Sequence, residues 1–216
     1  MNKKEMKILL YGDSITDAGW NRTSEIGALN SYGVGYARMI AGALIPRNPK
    51  KYIVINRGVS GNRIVDLYAR IKVDVWNHNP DVLSILIGIN DIWHEIGNQN
   101  GVDLERFERM YRMLLQDTLE RLPNVKIILC EPFVLEGCAT KEKFQRFLEV
   151  KEYAKVVKKL AGEYGCYFLE LQEDFEQKAT QFGAEYYLVD GVHPNVAGAQ
   201  LIADKWVKLF DEKINK

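Results

Sequence analysis

Four short segments carry residue types that could perform acyl transfer. The first, Tyr11-Gly12-Asp13-Ser14-Ile15-Thr16-Asp17, holds a serine whose hydroxyl is a candidate nucleophile. Ser14 has a simpler use as a helix N-cap, with Asp17 closing a capping box. Position 16 is Thr, so the segment is not a G-x-S-x-G elbow. The second, Asn56-Arg57-Gly58-Val59-Ser60-Gly61-Asn62, has glycines that let the backbone approach a ligand and aim an N–H at it. A plain strand-to-helix turn capped by Ser60 or Asn62 would use the same residues. In the third, Ile87-Gly88-Ile89-Asn90-Asp91, the Asn90 amide can donate into a site or cap the next element. The fourth, Val189-Asp190-Gly191-Val192-His193-Pro194-Asn195, places an aspartate three residues before a histidine on a loop held by Gly and Pro. That spacing lets the Asp190 carboxylate reach the His193 Nδ1–H. The tautomer is then fixed, and Nε2 faces outward as a base.

The elements that must position these residues are legible in the hydrophobic pattern. Five β-branched, mostly apolar runs read as strands covered on both faces: Lys7–Tyr11, Tyr52–Asn56, Val82–Ile87, Val125–Leu129 and Tyr167–Leu171. Helical spacing recurs at Ile64/Tyr68/Ile71/Val75, at Leu104/Phe107/Tyr111/Leu114/Thr118 and at Phe147/Val150/Ala154/Val157/Ala161/Tyr164. A last helix starts near Asn195, with Ile202, Trp206 and Leu209 on one face. Pro80, Pro123 and Gly165 end the helices that precede strands. This alternation predicts a parallel sheet with helices on both faces, in one domain spanning residues 1–216. Two Gly-containing segments without a clear stripe, Ala18–Gly35 and Trp93–Gly101, are expected to be loops beside the strand ends.

In a parallel sheet the C-terminal ends of all strands lie on one edge. Ser14, Gly61 and Asn90 therefore converge if the first three strands are neighbours. Asp190 and His193 can fold over the same edge. The set then offers a nucleophile, a base, an orienting acid and oxyanion donors.

Composition narrows the classes. The 216 residues carry 29 Lys+Arg against 29 Asp+Glu, a balance that argues against a nucleic-acid partner. Hydrophobic residues make up 47% of the chain, as in a globular protein, yet the longest apolar runs are too short to span a membrane. Cys130, Cys138 and Cys166 show no CxxC spacing, and Met1–Lys7 lacks a secretory pattern, so a cytoplasmic protein is expected. Of the three histidines, His78 reads as a solvated helix end and His94 as a residue lining a pocket near Asn90. No HExxH is present and His94-Glu95 supplies too few ligands, so no metal is expected. Trp20, Tyr32 and Trp93 sit in the two irregular segments, where they could stack on a ligand or pack the loops.

Taken together, the blocks resemble those of the SGNH, or GDSL-type, hydrolases. Gly12-Asp13-Ser14-Ile15-Thr16 is similar to the family's first block, and Gly61 matches the second-block glycine. Asn90 matches the third-block asparagine, and Asp190-Gly191-Val192-His193-Pro194 is similar to the fifth block. Ile89 stands where many members have Thr, at a position with no catalytic side chain. The resemblance implies a three-layer α/β/α flavodoxin-like fold with a five-stranded parallel sheet. It also implies a serine esterase with Ser14, Asp190 and His193 catalytic, an oxyanion hole of Ser14, Gly61 and Asn90, and no cofactor. Ser60-Gly61-Asn62, Gly88–Asp91 with Trp93, and the Gly27–Tyr36 segment resemble the intracellular bacterial acetylxylan esterases of this superfamily. That likeness implies an acetylated oligosaccharide or other small ester as substrate, and a homo-oligomer. Asp13, Trp93, His94, Tyr32 and Trp20 are the candidate substrate contacts. A lysophospholipase or thioesterase of the same superfamily and a non-catalytic binding module are the alternatives.

Overall fold

The computed structural model describes residues 5–48 and 50–215, so Met1–Lys4 of the polar start lies outside the described residues. Ile8, Leu9, Leu10 and Tyr11 are wholly buried, and so are Leu83, Ser84 and Ile85. Runs covered on both faces in this way form the central strands, β1 (Met6–Gly12) and β3 (Val82–Leu86). The others are β2 (Tyr52–Gly58), β4 (Lys126–Cys130) and β5 (Tyr167–Leu169). All pair in parallel, in the order β2-β1-β3-β4-β5. Each expected strand is present, with ends that move by no more than two residues.

The helices are α1 (Ser14–Asp17), α2 (Tyr36–Leu44), α3 (Ile64–Asp74), α4 (Ile89–Asn98) and α5 (Leu104–Arg121). They continue as α6 (Phe144–Phe147), α7 (Val150–Glu163), α8 (Gln172–Phe182) and α9 (Val196–Lys213). The step from β1 to β2 runs opposite to the later steps from β1 toward β5. Right-handed crossovers therefore put α2 on one face and α3, α5 and α7 on the other. Packing agrees: α2 lies against α9, α3 against α5, and α5 against α7. The result is the three-layer α/β/α fold. Among the described residues no helix is long and apolar enough to cross a membrane.

Two local expectations are corrected. Trp93–Gly101 is not a loop through its length, because α4 runs to Asn98. The stripe Ile89, Ile92, Trp93 and Ile96 has helical spacing and packs on the core, which outweighs the polar Gly97-Asn98 end. His78 is not a solvated helix end. It closes a 3₁₀ turn, is half-buried, and its Nε2 accepts from Arg57 Nε at 3.1 Å.

Candidate active site

Three strand ends build the floor of the site. Gly12 is in register with Gly58 on one side and Leu86 on the other. Ser14, Gly61 and Asn90 follow this row by two, three and four residues. The row also straddles β1, where the strand order reverses and α/β folds open a crevice. The close seat of α1 needs glycine at both positions. A Cβ at Gly58 would lie 2.2 Å from Asp17 N, and one at Gly12 would lie 2.4 Å from Thr16 Oγ1.

Ser14 does not cap α1. Asp13 does, its Oδ1 accepting from Ile15 N–H at 2.9 Å. Asp17 closes no capping box; its Oδ2 accepts from the Ser60 N–H and hydroxyl, both at 2.9 Å, which ties α1 to the second block. Likewise neither Ser60 nor Asn62 caps α3. Its N-cap is Arg63, whose N–H donates to Asp66 Oδ2 at 2.9 Å.

The Ser14 hydroxyl stands 2.8 Å from His193 Nε2, across 179 residues of chain. His193 Nδ1 is 2.7 Å from Asp190 Oδ2. The carboxylate only accepts, so Nδ1 carries the proton and Nε2 accepts from Ser14. Asp190 Oδ1 also accepts the Val192 and His193 N–H groups at 2.9 and 2.8 Å. Burial pushes the Asp190 carboxyl up, but these hydrogen bonds outweigh it and hold the group at about 2. The hydrogen bond to Asp190 raises His193 above its ordinary value against the effect of burial, and the Asp13 carboxylate adds to the rise.

The loop carrying Asp190 and His193 is a braced turn. Val189 N–H donates to His193 O at 2.8 Å, and Asn195 N–H to Tyr187 O at 3.0 Å. Asn195 caps α9, its Oδ1 accepting from Ala197 and Gly198. A second brace comes from the segment after β4: Leu135 N–H donates to Gly191 O and Ala139 N–H to Asp190 O. Sequence reasoning missed this brace, because no side-chain pattern marks a backbone contact between distant loops.

The N–H groups of Ser14 and Gly61 have no acceptor among the described residues. Gly61 holds a left-handed φ of +80°, which glycine adopts without strain. Asn90 Nδ2 donates one proton to Asn62 O at 3.1 Å, and its other proton has no acceptor among the described residues. Ser14, Gly61, Asn90 and His193 open onto one cleft of about 360 Å³. Its far wall is α4, which contributes Trp93, His94, Gly97 and Asn98. Gly97 and Asn98 were not expected there, because that stretch read as loop. The arrangement can deliver an activated serine to a carbonyl and meet the resulting oxyanion with three donors.

Of the expected substrate contacts, Trp93 and His94 line the cleft, and Asp13, Trp20 and Tyr32 do not. Asp13 is 1% exposed and sits beneath Ser14, where burial pushes its carboxyl up to about 7. Trp20 is buried, donates its indole N–H to Gly58 O at 2.8 Å, and has the guanidinium groups of Arg22 and Arg57 within 5.3 and 5.1 Å of its ring centroid. Tyr32 is buried in the core, its backbone carbonyl accepting from Asn56 Nδ2. Among the described residues no group of three or more His, Cys, Asp or Glu side chains could hold a metal.

Comparison with known proteins shows which family the chain is similar to. A family model described as GDSL-like lipase/acylhydrolase matches residues 10–201. The chain is 36% identical to an acetylxylan esterase from Geobacillus stearothermophilus, over 94% of this chain and 92% of the other. The crystal structure of Axe2, an acetylxylan esterase from that organism, superposes with a TM-score of 0.84 at 34% identity, covering 96% of this chain and 95% of that one. Solved structures of Axe2 include catalytic mutants in which a serine, an aspartate or a histidine is replaced by alanine. A candidate GDSL-like lipase from Parabacteroides merdae superposes with a TM-score of 0.91 at 38% identity, over 98% of both chains.

Proposed function

The chain belongs to the GDSL-like lipase/acylhydrolase family and is a carboxylic ester hydrolase. From that premise we propose that it removes small acyl groups, chiefly acetyl, from carbohydrates such as acetylated xylo-oligosaccharides. The observation that carries the reading is the Ser14–His193–Asp190 chain at 2.8 and 2.7 Å, facing the same cleft as Gly61 and Asn90.

Ser14 Oγ attacks the ester carbonyl as His193 Nε2 takes its proton. Asp190 holds the ring by Nδ1 and stabilises the imidazolium. The oxyanion is received by the N–H groups of Ser14 and Gly61 and by the Asn90 amide, each worth roughly 10²–10³ in kcat. His193 returns the proton to the leaving alcohol. Water, activated by the same Nε2, then releases acetate and restores Ser14.

The similarity to an acetylxylan esterase over nearly the whole chain supports the acetyl and sugar assignments. The cleft supports them too, being open and lined by Ser14, Ser60, Asn90, His94, Asn98 and His193 beside Trp93, with no large aliphatic side chain in its wall. Short soluble esters suit a cytoplasmic enzyme, the compartment its three free cysteines fit. The test is acetate release from a panel of acetylated sugars, with organophosphonate labelling of the serine. Wild type should release acetate and take one label, and Ser14→Ala should do neither. Ester turnover by Ser14→Ala would refute the mechanism. A rate rising with acyl length on p-nitrophenyl esters would replace acetyl with a lipid-type acyl group.

A further inference from the structure

α4 leads away from the oxyanion position as a regular rod. Asn90 and His94 are one turn apart, and Asn98 is one turn further, all facing the cleft. At about 1.5 Å of rise per residue, His94 lies roughly 6 Å and Asn98 roughly 12 Å along the axis from Asn90. That spacing is of the order of one and two sugar rings.

Trp93 fixes which side of the ester this wall serves. Its ring centroid is 5.9 Å from that of His193, and Phe147 packs edge-on against it at 5.4 Å. His193 protonates the leaving alcohol, so the alcohol lies beside Trp93. The His94 ring turns toward the second block, with Nε2 3.9 Å from where a Cβ on Gly61 would stand. Neither the His94 ring nor the Asn98 amide has a hydrogen-bond partner among the described residues. Burial and Arg63 hold His94 below its ordinary value, which leaves a neutral ring able to donate and to accept at neutral pH. A Cβ on Gly97 would meet no atom of the described residues within 4 Å.

We propose that the exposed face of α4 is the subsite for the sugar that bears the ester. Trp93 covers the apolar face of the ring, His94 and Asn98 hydrogen-bond successive hydroxyls, and Gly97 leaves the gap that admits the ring. The inference rests on the carbohydrate-esterase reading and deepens it, assigning the alcohol side of the cleft to residues outside the triad and the oxyanion hole.

The experiment compares kcat/KM for ethyl acetate with that for a mono-acetylated methyl β-xylopyranoside, in wild type, His94→Ala, His94→Gln and Gly97→Leu. His94→Ala should lower the ratio of sugar ester to ethyl acetate about tenfold, the scale of one lost hydrogen bond, mainly through KM. His94→Gln should recover most of it. Gly97→Leu fills open space on a helix, so it should fold while lowering the same ratio at least as far. Ratios unchanged in both His94→Ala and Gly97→Leu would overturn the subsite and leave the esterase reading standing. A wild type that cleaves ethyl acetate but no acetylated xyloside would overturn the carbohydrate reading and the subsite together.

Discussion

Replacing Asp13 by Asn removes a charge that the folded protein holds at a high free-energy cost. Asp13 is 1% exposed, and its Oδ2 has no hydrogen-bond partner among the described residues. Burial raises its carboxyl from 3.8 to about 7, against the opposing pull of the Ile15 N–H and His193. Below pH 3.8 the group is neutral in both the folded and the unfolded chain, so folding is not penalised. Between 3.8 and 7 the unfolded chain ionises while the native one keeps its proton, so stability falls as pH rises. Above 7 the full difference of about 4 kcal/mol is in force. Asn cannot ionise, and its Oδ1 can still cap α1. The stability of Asp13→Asn relative to wild type should therefore rise by about 3–4 kcal/mol between pH 4 and pH 8. For a chain of this length that is roughly a 10 °C change in relative Tm. Urea unfolding followed by tryptophan fluorescence at several pH values measures it. A stability difference that does not vary with pH would refute the reasoning, because it would mean that Asp13 titrates alike in both states.

The pH profile of kcat/KM should lose activity on the acid side as His193 takes a proton, with its midpoint above the ordinary 6.5 because Asp190 raises it. Asp13→Asn should shift only the upper end of that limb to lower pH, near and above pH 7, where Asp13 is ionised and adds to the rise. Asp190→Asn should cut kcat by roughly 10⁴ in steady-state assays while leaving the fold intact, through loss of the ring's orientation and charge partner. Asn90→Ala should lower kcat by roughly 10²–10³ with little change in KM. Gly58→Ala should destabilise the protein by roughly 1–3 kcal/mol in urea unfolding and depress turnover, because the new Cβ falls 2.2 Å from Asp17 N and lifts α1 with its serine.

What the chain determines locally was legible in its sequence. Lys7–Tyr11 and Val82–Ile87 read as strands because mostly apolar, β-branched runs must be covered on both faces. Asp190 and His193 read as a pair because they lie three positions apart on one loop, and the bond between them is 2.7 Å. Contacts between distant segments were decided only by the tertiary structure. Ser14 meets His193 across 179 residues because strand order, not spacing, places both on one edge. Burial was settled at the same level. Trp20 and Tyr32 have the composition of sugar-stacking residues, yet Gly58 O draws in one indole and the core encloses the other ring. α4 was hidden because Gly97 and Asn98 weaken a short helical signal, and packing of Ile89, Ile92 and Ile96 outweighs propensity. Periodicity records which side of an element is apolar. Only packing decides what that side meets, and so which polar groups are left facing the cleft.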